Sequence, residues 1–201
     1  MSRYLSKIAC VLIFCFISSV KVKAQNMDFL IPDAAIIQHA GSIGYFSVGA
    51  GYEIFKNKRG NLDFHYGYVP ASKGGELHTL AVKFAYKTIE VELNDFIKLF
   101  PLNPGLFLSY TFHDELLLKF SSSQYPVGYY YWSTAIRPHL SVSNEVEFDL
   151  DKFKKNFGIE RISVFTEFNT NDYYLINYVQ NTSTISLTDI FMLGIGVRLI
   201  F

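Results

Sequence analysis

The last residues of the chain follow a strict two-residue alternation. Apolar side chains stand at every odd position from Phe191 to Phe201. The even positions between them hold Met192, Gly194, Gly196, Arg198 and Ile200. Because successive side chains of a β-strand point to opposite faces, this pattern predicts a terminal strand. One of its faces is wholly apolar, and the other is small, flexible or charged.

The beginning of the chain has the pattern of an export signal. Arg3 and Lys7 precede an apolar run at residues 8–20, and residues 22–24 offer a small-residue cleavage site before Gln25. The apolar run is shorter than the roughly 20 residues that a membrane-spanning helix needs. We therefore expect residues 1–25 to be a cleaved signal peptide and residues 26–201 to form one domain.

Removing the leader changes the charge and the cysteine content. The whole chain has 18 basic and 18 acidic residues, and four of the basic ones lie in the leader, which leaves 14 against 18, a net charge of −4. Cys10 and Cys15 also lie in the leader, so we expect neither a disulfide nor a cysteine metal site after cleavage. No basic patch is interleaved with aromatic residues, so nucleic acid is not an expected partner.

The alternation of the last strand recurs in several other segments. They are residues 62–69, 79–87, 106–113, 140–150 and 162–169, together with the glycine-rich segment 41–55. No segment after residue 25 is long enough for a transmembrane helix. An exported β-protein in which half of the residues are hydrophobic is either soluble with an apolar core or ligand pocket, or a barrel with its apolar face turned to lipid. The apolar face of the last strand favours an antiparallel transmembrane β-barrel in the cell outer membrane, of eight strands, with ten as the alternative.

The connections are predicted from turn residues. Short turns are expected at residues 70–75, 113–115, 137–138 and 171–172, and longer breaks at 90–104, 121–126, 151–160 and 180–188. Alternating short and long connections are typical of a membrane barrel. Within the break 90–104, Leu93, Phe96, Ile97 and Phe100 have helical spacing, which predicts a short interfacial helix on the barrel rim.

Aromatic residues support the membrane interpretation. Tyr125 and the run 129–132 precede a predicted strand, and Tyr173, Tyr174 and Tyr178 cluster in the same manner. Tyrosine and tryptophan prefer the level of the lipid headgroups. Both clusters are therefore predicted to belong to aromatic girdles.

These features resemble the small outer-membrane β-barrels of Gram-negative bacteria, the class that includes the OmpA and OmpX membrane domains. The sharpest element is the segment 193–201, which resembles the terminal-phenylalanine signal that the barrel-insertion machinery reads. The resemblance implies a location in outer-membrane lipid, that machinery as a partner during assembly, and Phe201 as the insertion signal. It implies no substrate or ligand.

Charged residues on the opposite face of the strands are predicted to line the lumen. An isolated buried ion costs several kcal/mol, so these residues are expected to form a mutually paired network. A lumen of eight strands is too narrow for an open pore. The expected lumen residues are Asp63, His65, Lys83, Lys87, Arg137, Glu145, Glu147, Glu167 and Arg198.

One constellation points to an enzyme. His139, Ser141 and Glu145 share a strand face, and a hydroxyl, an imidazole and a carboxylate within reach are what ester hydrolysis requires. The segment 139–141 resembles the His-x-Ser-Asn core of the lipid A deacylase PagL, although Val142 stands where that family has asparagine. Three hypotheses follow: a non-enzymatic membrane barrel that contacts ligands or partners through its loops, which is preferred, an outer-membrane lipid hydrolase, and a soluble periplasmic binding barrel. The five histidines are scattered, so no metal or other cofactor is expected.

Overall fold

The computed structural model describes residues 30–116, 133–150 and 158–201. The barrel belongs to a compact unit that runs from Pro32 to Phe201. Its nine described strands are β1 (Ala34–Ala40), β2 (Phe46–Ile54), β3 (Gly60–Val69), β4 (Leu77–Tyr86), β5 (Val91–Asn94), β6 (Ile97–Phe112), β7 (Ile136–Asp149), β8 (Arg161–Asn171) and β9 (Met192–Ile200). One α-helix, α1 (Asp172–Gln180), follows β8, and short 3-10 turns lie at Ala71–Lys73 and Leu187–Ile190.

Eight antiparallel strands close into a barrel, as the sequence predicts. Each strand of the wall pairs with its neighbours in chain order, with β4 paired directly to β6, and the first strand, β1, pairs with the last, β9. Ala34 is opposite Ile200 across this seam, and Ala40 is opposite Gly194. The short β5 pairs with the first residues of β6 and stands outside the closed ring.

The terminal strand has the predicted faces. Leu193, Ile195 and Val197 are exposed on the outside of the barrel, whereas Arg198 and Ile200 are buried inside. The same division applies to the rest of the wall. On its inner side, buried polar and charged side chains outnumber buried apolar ones among the described residues, and large apolar side chains cover its outer side.

The two ends of the barrel carry different connections. The proximal end, where β1 begins and β9 ends, carries the connections 55–59, 87–96 and 150–160. The distal end carries 41–45, 70–76, 113–135 and 172–191. The predicted alternation of short and long connections is wrong in detail, because the short connection 70–76 and the long one at 172–191 lie at the same end.

The helix predicted in the break 90–104 does not form. Residues 91–94 are β5, and β6 already begins at Ile97 and continues through Pro101 and Pro104 to Phe112. The backbone of β6 pairs with β7 over most of its length, and this ladder outweighs the helical spacing of four apolar residues. A turn at 137–138 is also wrong, because Pro138 lies within β7 opposite Leu108. A proline removes only the one hydrogen bond that its nitrogen would donate.

The segment 41–55 divides into a turn and a strand. Gly41 has a φ of 79°, a left-handed conformation that suits glycine, and β2 begins only at Phe46. The tyrosines at 173, 174 and 178 belong to α1, which Asn171 caps by accepting a hydrogen bond from the backbone N–H of Tyr174. Tyr125 and residues 129–132 lie outside the described residues.

The described helices are short. None of them has the length and apolar character needed to cross a membrane.

Candidate functional site: the charged interior of the barrel

Polar side chains from all eight wall strands point into the barrel. They are held there by the two-residue period of each strand, which places every second residue on the inner side. Within the described residues the buried carboxylates and cations lie within ion-pair distance of one another. These charged residues are Glu53, Asp63, Lys83, Lys87, Glu145, Glu147, Arg161, Glu167 and Arg198.

The proximal cluster consists of five charged residues from three strands and one connection. Lys87 Nζ lies 3.2 Å from Glu145 Oε1 and 3.1 Å from Glu147 Oε2. Arg161 joins the same Glu147 at 3.2 Å and reaches Glu53 at 2.6 Å. Two cations therefore bridge three carboxylates. The bridges from Lys87 to β7 and from Arg161 to β2 join parts of the wall that are not adjacent in the sheet.

The central pair joins β3 to β9 across the barrel. Arg198 donates two hydrogen bonds to Asp63, at 2.9 and 2.7 Å, in a bidentate arrangement. Gly51 makes room for this pair, because a Cβ there would lie 2.7 Å from Arg198 Nη1 and 2.8 Å from Asp63 Oδ1. His65 Nε2 lies 4.0 Å from the same carboxylate.

The distal cluster is centred on Lys83. Its Nζ lies 2.8 Å from Glu167 Oε2 and donates a hydrogen bond to Gln38 Oε1 at 3.2 Å. Asn169 donates to Glu167 at 3.3 Å and accepts a hydrogen bond from Ser42 in the connection after β1. This cluster therefore fixes the first distal connection to the wall.

That connection also closes the distal mouth with an apolar side chain. Ile43 is fully buried and packs with Ala81 and Phe107. The approach needs a glycine on β3, because a Cβ on Gly67 would lie 2.1 Å from the carbonyl oxygen of Ile43. A cavity of about 320 Å³ lies at this mouth, lined by the connection and by Lys73, Thr79 and Thr111 among others.

A second cavity, of about 310 Å³, lies at the proximal end. Charged residues of both signs line it, including Lys87, Glu147 and Arg161 of the proximal cluster and the rim residue Glu90. Lys98 Nζ lies 2.8 Å from Glu90, and Arg59 lies 3.0 Å from it. The hydrogen bond from Lys98 holds the pKa of Glu90 below its ordinary value, against burial, which raises it.

Most of the predicted lumen residues are divided among the proximal cluster, the central pair and the distal cluster. Lys87, Glu145 and Glu147 lie in the proximal cluster, Asp63, His65 and Arg198 in the central one, and Lys83 and Glu167 in the distal one. Arg137 stands apart at the distal rim, where it pairs with Asp172 of α1 at 3.2 Å and lies over the ring of Tyr173.

The three residues considered for ester hydrolysis do not form a catalytic arrangement. His139 Nε2 lies 2.9 Å from Ser109 Oγ on β6, and its ring stacks on Phe107. Ser141 is two residues from His139 on the same strand, about 7 Å away. Glu145 is six residues from His139, about 20 Å along the strand, and its carboxylate is engaged by Lys87 and Ser163.

Three inward residues of the charged clusters were not expected from the sequence. Glu53 lies at the end of the glycine-rich strand, Arg161 is the first residue of β8, and Gln38 lies on β1, a strand too short and too weakly alternating to predict. Extending the two-residue period of the segment 162–169 by one step would have included Arg161, and assigning an inner face to the segment 41–55 would have included Glu53. In the described residues no three histidine, cysteine or acidic side chains are grouped so as to hold a metal ion.

Comparison with known proteins adds little to this geometry. No protein-family model matches the chain, and no curated protein matches it. Among solved structures, a de novo designed transmembrane β-barrel aligns with 84% of this chain and 95% of its own, at 11% sequence identity and a TM-score of 0.35.

Proposed function

We propose that this protein is an outer-membrane β-barrel of a Gram-negative bacterium, with no enzymatic activity, which contacts ligands or partners through its distal connections. The observation that carries the proposal is the inverted distribution of polarity. Side chains such as Phe64, Val82 and Leu108 are about half exposed on the outside of the wall, while ion pairs fill the inside. Water would disfavour such an outer surface, whereas the hydrocarbon of a bilayer would favour it.

Strand length supports the same proposal. A transmembrane β-strand needs about 9–11 residues at the usual tilt. β3 and β4 have 10 residues each, and β8 has 11. The wall therefore has the height of a hydrocarbon core, and its closure leaves no unpaired strand edge in lipid.

A filled lumen makes the barrel a scaffold rather than a channel. The three charged clusters follow one another from the proximal to the distal end, and Ile43 closes the distal mouth. We infer that the wall holds the distal connections, including α1, in position at the cell surface. The hydrolase alternative has no support from the positions of His139, Ser141 and Glu145, and the soluble binding barrel would need apolar residues inside.

Cell fractionation followed by electrophoresis tests the proposal. The tagged protein should be recovered in the outer membrane without residues 1–25, and unboiled samples should migrate differently from boiled ones, because a closed barrel resists detergent until it is heated. Purified protein in planar bilayers should give no stable conductance. Recovery as a soluble periplasmic protein would overturn the membrane proposal.

Deletion of Phe201 separates assembly from stability. The structure gives this residue a small part in holding the fold, since its side chain is 50% exposed and its backbone N–H bonds to the carbonyl of Asp33 at 2.9 Å. If the barrel-insertion machinery reads the terminal phenylalanine, deletion should sharply reduce membrane-inserted protein in cells. The free energy of unfolding of protein refolded in vesicles should change little. Wild-type membrane levels in the deletion strain would exclude the insertion-signal role.

A further inference from the structure

The outer wall has a polar position in the middle of its apolar surface. Thr166, the central residue of β8, donates a hydrogen bond to Asn144 Oδ1 on β7 at 2.8 Å. Their outward neighbours are apolar, Val142 on one strand and Val164 and Phe168 on the other, and all three are exposed. The amide nitrogen of Asn144 has no hydrogen-bond partner among the described residues.

A β-bulge lies directly beside this position. Phe100 of β6 pairs with Glu145 and Asn103 pairs with Ser143, so that Pro101 and Leu102 together face the single residue Asn144. Both residues of the bulge are exposed, Leu102 by 47%. Bulges re-aim side chains and are frequent beside functional sites, and here the bulge adds a projection next to a polar position.

Lipid is a poor cover for this surface. Hydrocarbon offers no acceptor for the amide N–H groups of Asn144, and an amide without a partner is costly in such a medium. Polar side chains on membrane-facing surfaces pair across protein interfaces. A protein partner that supplies an acceptor at the same depth in the bilayer would satisfy these N–H groups.

We propose that β6, β7 and β8 form a dimer interface with a second copy of this chain, related by a two-fold axis along the membrane normal. This inference rests on the proposed membrane location. An asparagine side chain carries both a donor and an acceptor, so it complements a second asparagine, and a residue beside a two-fold axis meets itself at the same depth.

The symmetry also gives the bulge a partner. In an isologous contact centred on β7, β6 of one copy lies opposite β8 of the other. Leu102 then packs beside Val164 and Phe168 of the second copy. The two-fold rotation thus places both the polar position and the bulge in the interface, and the interface needs no other component.

Cysteine cross-linking in membranes tests the dimer. The test chain carries Cys10→Ala and Cys15→Ala, so that an introduced thiol is the only one. Asn144→Cys places the thiol at the proposed axis. Ala50→Cys is the matched control, because Ala50 is the middle residue of β2, which lies diametrically across the eight-strand ring from β7. Mild oxidation of isolated outer membranes should convert most of the Asn144→Cys protein to a disulfide-linked dimer and leave the control monomeric.

A second variant measures the polar contact without a cross-link. Asn144→Val should shift the monomer–dimer equilibrium in detergent about tenfold toward monomer, as measured by sedimentation, while the heat-dependent mobility shift of the folded barrel is retained. Equal cross-linking of both cysteine variants would show random collision and overturn the dimer, as would cross-linking of Asn144→Cys to a different protein.

The two proposals fail in distinguishable ways. A folded, membrane-inserted Asn144→Cys protein that stays monomeric would overturn the dimer and leave the barrel in place. Recovery of the unaltered chain in the soluble periplasmic fraction would overturn the membrane location and, with it, the interface.

Discussion

The bidentate pair between Arg198 and Asp63 offers a quantitative test of how the lumen is stabilised. Both side chains are nearly inaccessible, with 6% and 3% of their surface exposed. Asp63→Asn keeps the shape of the side chain and removes its charge. The guanidinium of Arg198 then remains buried with no carboxylate at bonding distance.

The expected cost follows from the burial of the pair. Removing one partner of a buried ion pair leaves an uncompensated charge and destabilises a protein by about 3–5 kcal/mol. Replacing both partners by apolar residues of similar volume is neutral or stabilising by about 1–4 kcal/mol. Asp63→Leu combined with Arg198→Met should therefore recover most of the stability that Asp63→Asn loses.

Denaturant unfolding in lipid vesicles measures these differences. The fraction folded is read from the mobility of unboiled samples and from fluorescence, and the free energy of unfolding is obtained from the dependence on denaturant. Glu92→Gln is the control, because Glu92 pairs with Lys98 at 3.4 Å with 70% of its side chain exposed. An exposed pair contributes about 0–1 kcal/mol.

A cost for Asp63→Asn no larger than that for Glu92→Gln would refute the reasoning. Such a result would mean that water reaches the pair and screens it. The reasoning would also be refuted if the double variant were as unstable as the single one, because the loss would then come from packing rather than from an unpaired charge.

Three further predictions concern the wall, the mouth and the rim. Val82→Arg, in the middle of β4, should lower the free energy of unfolding in vesicles by about 2–4 kcal/mol, whereas the same change at Leu193, near the distal end of β9, should lower it by about 0–1 kcal/mol. Equal losses would argue against a bilayer around the wall. Gly67→Ala should displace Ile43 from the distal mouth and destabilise the barrel by about 1–3 kcal/mol, with faster hydrogen exchange confined to residues 41–45; unchanged exchange there would contradict the close approach. The folded-state pKa of Glu90 lies below its unfolded value, so its stabilising effect is present above the unfolded pKa and is lost as the pH falls through the folded pKa. Amide protection of β5 should therefore weaken in that acid range in the natural chain. A Glu90→Gln variant that shows the same acid-dependent weakening would exclude Glu90 as the cause.

Much of the wall was predictable because a strand with one apolar face and one polar face has apolar and polar residues that alternate along its sequence. β3, β4 and β9 alternate without interruption, and their faces are as expected. β1 was missed because it has only seven residues and its apolar positions fall on both faces. The helix predicted before β6 failed because pairing with β7 supplies hydrogen bonds that a local pattern does not reveal.

The interior was predictable in composition but not in pairing. Alternation places Asp63 and Arg198 on the inner face, yet only the closed topology brings residues 135 positions apart into a bidentate contact. The role of Gly51 beside them depends on that contact and is invisible in the sequence. The same applies to Asn144, whose position opposite a bulge depends on the register between β6 and β7.

The seam between β1 and β9 has a consequence for the order of events during biogenesis. Ala34 and Ile200 are neighbours in the finished ring, although almost the whole described chain lies between them. Consecutive hairpins can pair as soon as their own residues are available, but the ring stays open until β9 pairs with β1. Until then two bare strand edges offer templates for association with other chains. The slowest folding step of a chain with this topology is therefore expected to be the long-range closure rather than the formation of any single hairpin.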